Sequence, residues 1–412
     1  MDVIHPRCCG LDVHQKTVAA CVLVCEEDGK KLKEVRTFGT WTQDLCHLAE
    51  WLSERKVTHV AMESTGVYWK PVWAVLAGQF ELLLVNAQHI KAVPGRKTDV
   101  KDSEWIADLL QHGLLRGSFV PPPEIQDLRD LTRYRVRLTQ DRSAVANRIQ
   151  KLLEEANIKL GAVASDVMGA SGQQMLRAII EGETDPERLS KMARKRMRNR
   201  IPELRLALEG KIRDHHRDLL RHLMKHWSFL GDEIASLDEE IKGRMRPFEE
   251  AIALWQTIPG ISQLTAWNLV AEIGVNMDQF PSSEHLASWA GLCPGNNESA
   301  GKRKSGKMRY GAPWLKRALC QAAWAAAHTK QTYCSAQYRR LAVRRGKKRA
   351  IIAVAHSLLI VAYCMLKQNR TYHELGGNYF DRIHAERHKR YLVKKLEALG
   401  FQVNLTPTQN AA

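Results

Sequence analysis

The spacing of apolar and polar positions predicts a mixed α/β region at the start of the chain. Period-two and fully apolar runs predict five strands, and helical spacing falls between them. The final helix of this region is predicted from the stretch KTDVKDSEWIADLL, with its apolar side continuing to Leu114 and Gly117 closing the run. The strands are predicted at 7–13, 17–25, 31–38, 57–63 and 80–86, and the intervening helices at 42–55 and 67–79. The order β-β-β-α-β-α-β-α is typical of one α/β domain over residues 1–120.

Long helical patterns follow a stiff proline linker at 121–123. One helix is predicted over 125–157 and a second over 202–246, joined through the basic segment 191–200. Two antiparallel helices of such length predict a coiled-coil arm over residues 121–250 that mediates self-association.

For the remaining residues, 251–412, the pattern predicts a mainly α-helical domain. Residues 254–274 predict a helix, a tight PGIS turn and a second helix. This helix-hairpin-helix pattern can hold a DNA phosphate on backbone N–H groups, although an ordinary αα-hairpin stays open as an alternative. The apolar run 350–366 is shorter than a bilayer span and is predicted as a buried helix, so no membrane association is expected. A basic helix is predicted near 380–398.

Composition narrows the class of function. The formal net charge of +17 and the isoelectric point near 9.5 point to a polyanionic partner, most often nucleic acid. The N-terminal sequence lacks the pattern of a signal peptide, and the nine cysteines include no tandem zinc-ligand pairs. We therefore expect a cytoplasmic protein with reduced thiols that handles nucleic acid.

Four acidic residues carry the candidate chemistry. Asp12 lies in the first strand, Glu63 ends the fourth, and Asp99 and Asp102 stand at the start of the final helix. Taken alone, the last pair could simply cap that helix. Functional groups gather at strand ends in α/β sheets, and four converging carboxylates suit one or two Mg²⁺ ions that clamp a phosphodiester. The pattern resembles a ribonuclease H-like fold of the RuvC type with a DEDD acid set.

A serine in the last third of the chain is the second candidate. Ser299 lies in a stretch rich in glycine and asparagine, predicted as a loop, with basic residues directly behind it. A serine hydroxyl attacks a phosphate only when its anion or the phosphate charge is stabilised, and a cationic loop can supply the second. The alternative is that the serine merely contacts phosphate. The basic residues, expected to bind nucleic acid, are Lys302, Arg303, Lys304, Lys307 and Arg309.

The ordered motifs GLDVHQKT, AMESTG, KTDVKD with WIADLL, TIPGIS and AGLCPGNNESAGKRKSGKMRYG carry a family resemblance over nearly the whole chain. The chain resembles bacterial insertion-sequence transposases with an N-terminal RuvC-like DEDD domain and a C-terminal serine-bearing transposase domain. Members often have a serine pair before the glycine, whereas this chain has Glu298-Ser299-Ala300-Gly301, and Ser305 is the other serine nearby.

The resemblance implies roles for these residues and a set of partners. Asp12, Glu63, Asp99 and Asp102 would bind Mg²⁺, and Ser299 would form a covalent serine–DNA intermediate. The partners implied are donor and target DNA, a structured non-coding guide RNA, and further copies of the chain in a dimer or tetramer.

Three other readings of the residues stay open. A RuvC-like structure-specific nuclease would use water as the nucleophile and leave free ends. A kinase or ATPase of the actin and sugar-kinase type would use GLDVHQKT as a phosphate-binding hairpin, although no second glycine-rich phosphate loop follows. A non-catalytic scaffold for RNA or DNA would leave the spaced acids unexplained.

Overall fold

The chain forms two compact units, Met1–Val120 and Pro121–Ala412. A computed structural model describes residues 2–26, 31–64, 66–86, 90, 101–295, 297–299, 301–306, 308, 311–383 and 385–405. The first unit is a mixed α/β sheet domain and the second is mostly helical, which confirms the predicted change of fold class along the chain. The predicted division of the second unit at residue 250 stays a prediction.

The first unit is built on one five-stranded sheet in the order β3-β2-β1-β4-β5. The first three strands form an antiparallel meander, while β4 and β5 run parallel to β1. Charged and exposed residues dominate the edge strand β3, which discourages pairing with another chain. The strands are β1 Arg7–Val13, β2 Thr17–Cys25, β3 Lys31–Gly39, β4 His59–Glu63 and β5 Glu81–Val85.

Helices cover both faces of this sheet. Helices α1 (Thr42–Glu54) and α2 (Trp69–Leu76) contribute to a core with Leu11 and Met62 on one face. Helix α3 (Asp102–Gln111) buries Ile106 and Leu109 against Ala61 and Val85 on the other. The order of strands and helices among the described residues is the one predicted from the apolar pattern.

Helix α3 ends earlier than predicted. Gly113 adopts φ 65°, and its N–H donates to the carbonyl of Leu110 at 2.9 Å. The N–H of Leu114 donates to the carbonyl of Leu109 at 2.9 Å, which completes a glycine-terminated helix end. Leu114 and Gly117 therefore lie beyond the helix, and Gly117 pairs with Val85 as an isolated bridge.

Two long antiparallel helices begin the second unit. Helix α4 spans Pro123–Glu155. The guanidinium of Arg142 stacks 3.8 Å from the centroid of the Trp227 ring, and Arg135 pairs with Asp238. Because residues late in one helix meet residues early in the other, the pair is antiparallel. Coiled-coil geometry and a role in self-association stay predictions.

The second of these helices is shorter than predicted. The stretch 202–246 is divided into α8 (Ile201–Leu208) and α9 (Asp214–Met245). The N–H of Lys211 donates to the carbonyl of Ala156 at 2.9 Å, and Lys159 donates to Ala207 at 2.8 Å. These backbone groups therefore bond to residues at the end of α4 instead of to partners one helical turn away. The helix is interrupted between α8 and α9 for this reason.

Short helices, rather than a simple basic connection, fill the interval between α4 and α9. They pack their apolar sides against both long helices in one core. The basic segment 191–200 ends in a 3-10 helix at Lys195–Arg200. The helices are α5 Leu160–Val163, α6 Ala170–Ile180, α7 Pro186–Ser190 and α8.

The rest of the second unit adds eight α-helices and one hairpin among the residues described after α9. They are α10 Glu249–Gln256, α11 Gln263–Ile273, α12 Ser283–Trp289, β6 Asn297–Ser299, β7 Lys302–Ser305, α13 Pro313–His328, α14 Tyr333–Arg345, α15 Lys347–Gln368, α16 Tyr379–Ile383 and α17 Ala385–Glu397, with short 3-10 helices at Arg246–Phe248 and Met277–Gln279.

Helix α15 is long and apolar enough to cross a membrane by length and composition, the one such helix in the described part of the chain. It packs against α10, α12, α13 and α14. The indole N–H of Trp255 donates to the carbonyl of Ala362 at 3.0 Å, and the Tyr363 hydroxyl donates to the carbonyl of Phe280 at 3.2 Å. These contacts are those of a core helix of the second unit.

A buried ion pair joins α11 to α4. Glu272 is 2 % exposed, and its two carboxylate oxygens accept from Arg133 Nε and Nη2 at 2.7 and 2.8 Å. Arg129 donates to the backbone carbonyls of Ala271 and Glu272, and burial lowers its pKa. The second helix of the helix-hairpin-helix segment is thereby fixed to the long helix.

The variant Glu272→Ala is expected to lower the free energy of unfolding by about 3 kcal/mol, because two largely buried arginines lose their carboxylate. Asp238→Ala, which breaks the more exposed pair with Arg135, should cost less than about 1 kcal/mol. Urea unfolding followed by circular dichroism measures both. Equal losses would contradict the structural role assigned to the buried pair.

Candidate metal centre and serine hairpin

Two of the predicted acids stand side by side at the ends of parallel strands. Residues 10 and 11 of β1 pair with 61 and 62 of β4, so Asp12 and Glu63 are the next residues in register. Leu11 and Met62 are buried on the face that α1 and α2 cover. Because successive side chains alternate, Asp12 and Glu63 point to the face that carries α3. Both side chains are partly exposed.

Helix α3 lies directly on β1 because Gly10 has no side chain. A Cβ at Gly10 would stand 2.3 Å from the amide nitrogen of Ala107 and 2.3 Å from the carbonyl oxygen of Ser103. Further along, the N–H of Ile4 donates to the carbonyl of Gln111 at 2.9 Å. The helix therefore runs antiparallel to β1, and its first residue, Asp102, lies toward the Asp12 end of the strand.

The rotation of α3 turns Asp102 toward β4. Residues of a helix advance about 100° each, which places Asp102 on the same side as Ile106 and Leu109. That side packs in the cluster containing Ala61 of β4. The opposite side carries Glu104, which forms an ion pair with Lys33 of β3. Asp102 is thus directed to the strand that ends in Glu63.

The structure therefore directs Asp12, Glu63 and Asp102 toward one end of the sheet, while Asp99 lies outside the described residues. Within the described ranges, no three His, Cys, Asp or Glu side chains come close enough to hold one metal ion together. The donors present are nevertheless carboxylate oxygens, which are the ligands that Mg²⁺ prefers.

Two polar groups beside these acids were missed in the sequence. Oδ2 of Asp12 lies 3.1 Å from Nε2 of the exposed His14, two residues further along the chain. The Ser103 side chain is 1 % exposed, and its hydroxyl has no hydrogen-bond partner among the described residues. A buried hydroxyl next to Asp102 that has no partner within the described part of the chain fits a site that holds water or a hydrated ion. The D-x-H spacing at the end of β1 was the signal for His14.

The thiols of Cys8 and Cys21, on this face of the sheet, are poorer candidates for metal ligands than the carboxylates. Burial raises the pKa of Cys8 to about 12 and that of Cys21 to about 11. Because only the thiolate binds a metal well, a site here depends on oxygen donors.

The predicted serine lies in a hairpin rather than a loop. Ser299 is the last residue of β6 and pairs with Lys302, the first residue of β7, and Gly301 directly before β7 has φ 71°. Lys302 is exposed. The side chains of Ser299, Arg303 and Lys304, and all of Lys307 and Arg309, lie outside what the structure describes.

The helix-hairpin-helix prediction corresponds to α10, a turn and α11. The Ser262 hydroxyl accepts from the N–H of Thr265 at 3.3 Å and caps α11. Gly260 has φ 89°, and a Cβ there would meet the carbonyl oxygen of Ala322 at 2.4 Å. The turn therefore packs against α13.

Comparison with known proteins identifies the family of this chain. Residues 9–158 match the transposase family DEDD_Tnp_IS110, and residues 253–339 match the transposase family of IS116, IS110 and IS902. Together the two matches span more than half of the chain. The protein belongs to the IS110/IS116 family of insertion-sequence transposases, with a DEDD-type N-terminal domain. Membership argues against the kinase and the non-catalytic scaffold.

Relatives of known description agree with this assignment. The chain is 26 % identical over 294 residues to a transposase of insertion sequence IS1111A from Coxiella burnetii, covering 70 % of this chain and 72 % of that protein. It is 25 % identical over 320 residues to a probable family 20 transposase of Pseudomonas aeruginosa, covering 76 % and 85 %. It is also 24 % identical over 380 residues to the pilin gene-inverting protein of Moraxella bovis, covering 88 % and 96 %.

The variant Gly10→Ala is expected to lower the free energy of unfolding by about 2 kcal/mol, because its methyl group pushes α3 off β1. It should also weaken any Mg²⁺-dependent rise in melting temperature, since α3 carries Asp102. A Cβ at Gly117 would only touch Leu83 at 4.0 Å, so Gly117→Ala is the matched control. Thermal unfolding with and without Mg²⁺ measures both, and an unaffected Gly10→Ala protein would contradict the helix placement.

Proposed function

We propose that this transposase cuts and rejoins DNA with Mg²⁺ held by Asp12, Glu63, Asp99 and Asp102, and with Ser299 as the nucleophile. The observation that supports the metal site best is the direction of three of these acids to one end of the sheet. A strand–strand–strand–helix–strand order with acids at strand ends also supports a ribonuclease H-like domain of the RuvC type. The serine assignment rests on the family resemblance and on the basic residues around the hairpin.

The chemistry follows from the residue types. Mg²⁺, when bound, supplies polarisation of the scissile phosphate and stabilises the negative charge that develops on it. The Ser299 hydroxyl attacks phosphorus, a serine–phosphate bond forms, and the bond from phosphorus to the leaving strand oxygen breaks. The serine proton passes to that oxygen, which becomes a free hydroxyl. A strand hydroxyl can later attack the serine ester and release Ser299, so strands are exchanged without ATP.

The charge of the chain supports a division of labour between the two units. Residues 1–120 contain fourteen Lys and Arg against fifteen Asp and Glu, whereas residues 121–412 contain forty-eight against thirty. The whole positive excess lies in the second unit. Lys and Arg supply the sequence-independent part of nucleic-acid affinity. The second unit is therefore the one that binds DNA and RNA. Lys302, Arg303, Lys304, Lys307 and Arg309 are assigned to this role.

The proposed function also includes nucleic-acid partners and further copies of the chain. The chain acts on donor and target DNA in the cytoplasm, and a structured non-coding RNA pairs with the DNA to supply sequence specificity. A dimer or tetramer brings the acids of one copy to the serine of another. These statements rest on the family resemblance together with the basic charge of the second unit.

A covalent-trapping experiment tests the serine mechanism. Protein, Mg²⁺, element-end DNA and the co-expressed RNA are combined, denatured and separated to detect a protein–DNA adduct. Ser299→Ala and Asp12→Ala should each lower the adduct by at least about a hundredfold, because each removes a group that acts in the transition state. The controls are Ser305→Ala in the same hairpin and Glu104→Gln on α3, which should keep it. Cleavage that persists in Ser299→Ala without an adduct would establish a nuclease that uses water.

A mixing experiment tests the assembly. Inactive Ser299→Ala and Asp102→Ala proteins are co-expressed so that mixed oligomers form. Recombination of a plasmid substrate should return to about a quarter of the wild-type level or more if the acids and serine combine between copies. Mixtures as inert as either parent would place both groups of one site in the same copy.

A further inference from the structure

One exposed stripe on helix α13 has no role in the proposed chemistry. Arg317, Gln321, Trp324 and His328 follow each other at steps of four, three and four residues, so they share one side of the helix. All four are exposed, while the opposite side of α13 is buried with Leu315. Trp324 is the largest of them and is 52 % exposed. A tryptophan so exposed on an otherwise well-packed helix is a candidate binding residue.

Two further rings surround the tryptophan. The Trp324 ring centroid lies 4.6 Å from that of His328 and 6.5 Å from that of Tyr338 on α14, and the last two lie 6.1 Å apart. Nδ1 of His328 donates to the carbonyl of Trp324 at 2.7 Å, which holds the imidazole in place. We name Trp324, His328 and Tyr338 the ring cluster. The three rings already contact one another, and the hydrogen bond holds the imidazole, so less ordering entropy is lost when a base stacks there.

The segment of the chain that carries the ring cluster is strongly basic. No Asp or Glu occurs between Glu298 and Glu374, an interval that contains seventeen Lys and Arg. Arg344, Arg345 and Lys347 are exposed where α14 ends and α15 begins. The carboxylate of Glu374 accepts from the N–H groups of residues 333 and 376 at 2.7 and 2.8 Å and from the hydroxyl of residue 372 at 3.0 Å. It is therefore already engaged by hydrogen bonds within the fold.

A cavity of about 330 Å³ adjoins the same helix, and polar side chains form part of its lining. Arg317 and Gln321 contribute to its lining from the stripe, and Ser262 and Thr265 from the N-terminus of α11. Asn268 adds an amide from the same helix. Arginine, hydroxyl groups and a helix N-terminus are the donors that phosphate oxygens take up. Stacking rings and phosphate donors therefore occur on one surface of the second unit.

We propose that the ring cluster is a stacking platform for unpaired bases of a single-stranded segment of nucleic acid, whose phosphates lie toward Arg317 and toward Arg344 and Arg345. Aromatic faces bind bases only where the bases are not already stacked in a duplex, and the cationic surroundings match the backbone charge. The platform is a further site within the second unit, for which nucleic-acid binding is proposed above. It rests on that part of the proposed function and is independent of the serine chemistry.

Equilibrium binding of short oligonucleotides to the full-length protein tests the platform. Fluorescence anisotropy is measured in EDTA with labelled twelve-nucleotide single strands of DNA and RNA and with a blunt DNA duplex. Trp324→Ala should weaken single-strand binding by about tenfold, and Trp324→Phe should recover most of it, because a ring restores stacking. Duplex affinity should change by less than about twofold in both variants. A larger loss for RNA than for DNA would identify RNA as the ligand, and equal losses would identify a site for either strand.

Val343→Ala provides the control on the neighbouring helix, since Val343 is 89 % exposed and lies outside the ring cluster. Unchanged single-strand affinity in Trp324→Ala, or an equal loss for the duplex, would overturn the proposal. A change in sedimentation coefficient with unchanged oligonucleotide affinity would instead identify this surface as a contact between copies. The adduct assay is read separately, so failure of the serine mechanism and failure of the platform are distinguishable.

Discussion

The direct contact between helix α3 and strand β1 is the constraint on which the candidate metal centre depends. Gly10 allows the backbone of Ser103 and Ala107 to lie against the strand, closer than any side chain would permit. That approach fixes the height of the helix, while the buried side of Ile106 fixes its rotation. Together, this distance and this rotation determine the position of Asp102. A metal centre assembled from distant parts of the chain requires this kind of rigid support, because carboxylates on loose elements would separate.

Much of the first unit could be predicted from the sequence because its central strands are apolar and its helices amphipathic. The second unit shows where such patterns fail. The apolar spacing of 202–246 continues through the break, but Lys159 and Lys211 supply backbone hydrogen bonds with residues about fifty positions away, which no local pattern records. The hairpin at Ser299 is built from polar residues, so no alternation marked its two short strands.

The candidate site also has a part that the sequence predicts and a part that it does not. Residue type and position at predicted strand ends were sufficient to select Asp12, Glu63 and Asp102. The groups beside them could not be predicted, because the hydroxyl of Ser103, unpaired among the residues the structure describes, becomes significant only when α3 is known to lie on Gly10. Candidate residues can thus be selected from the sequence by type and position, whereas the groups that support them are ordinary residues placed by tertiary packing.

The unequal charge of the two units has a consequence for how activity responds to the medium. A near-neutral α/β domain has little long-range attraction for a polyanion, whereas the second unit attracts one strongly and loses that attraction as salt screens it. Contacts between carboxylates, a metal ion and a phosphate act over a few ångströms and are screened far less. Under the proposed function, ionic strength therefore governs how often DNA arrives, and leaves the rate at which an arrived strand reacts nearly unchanged.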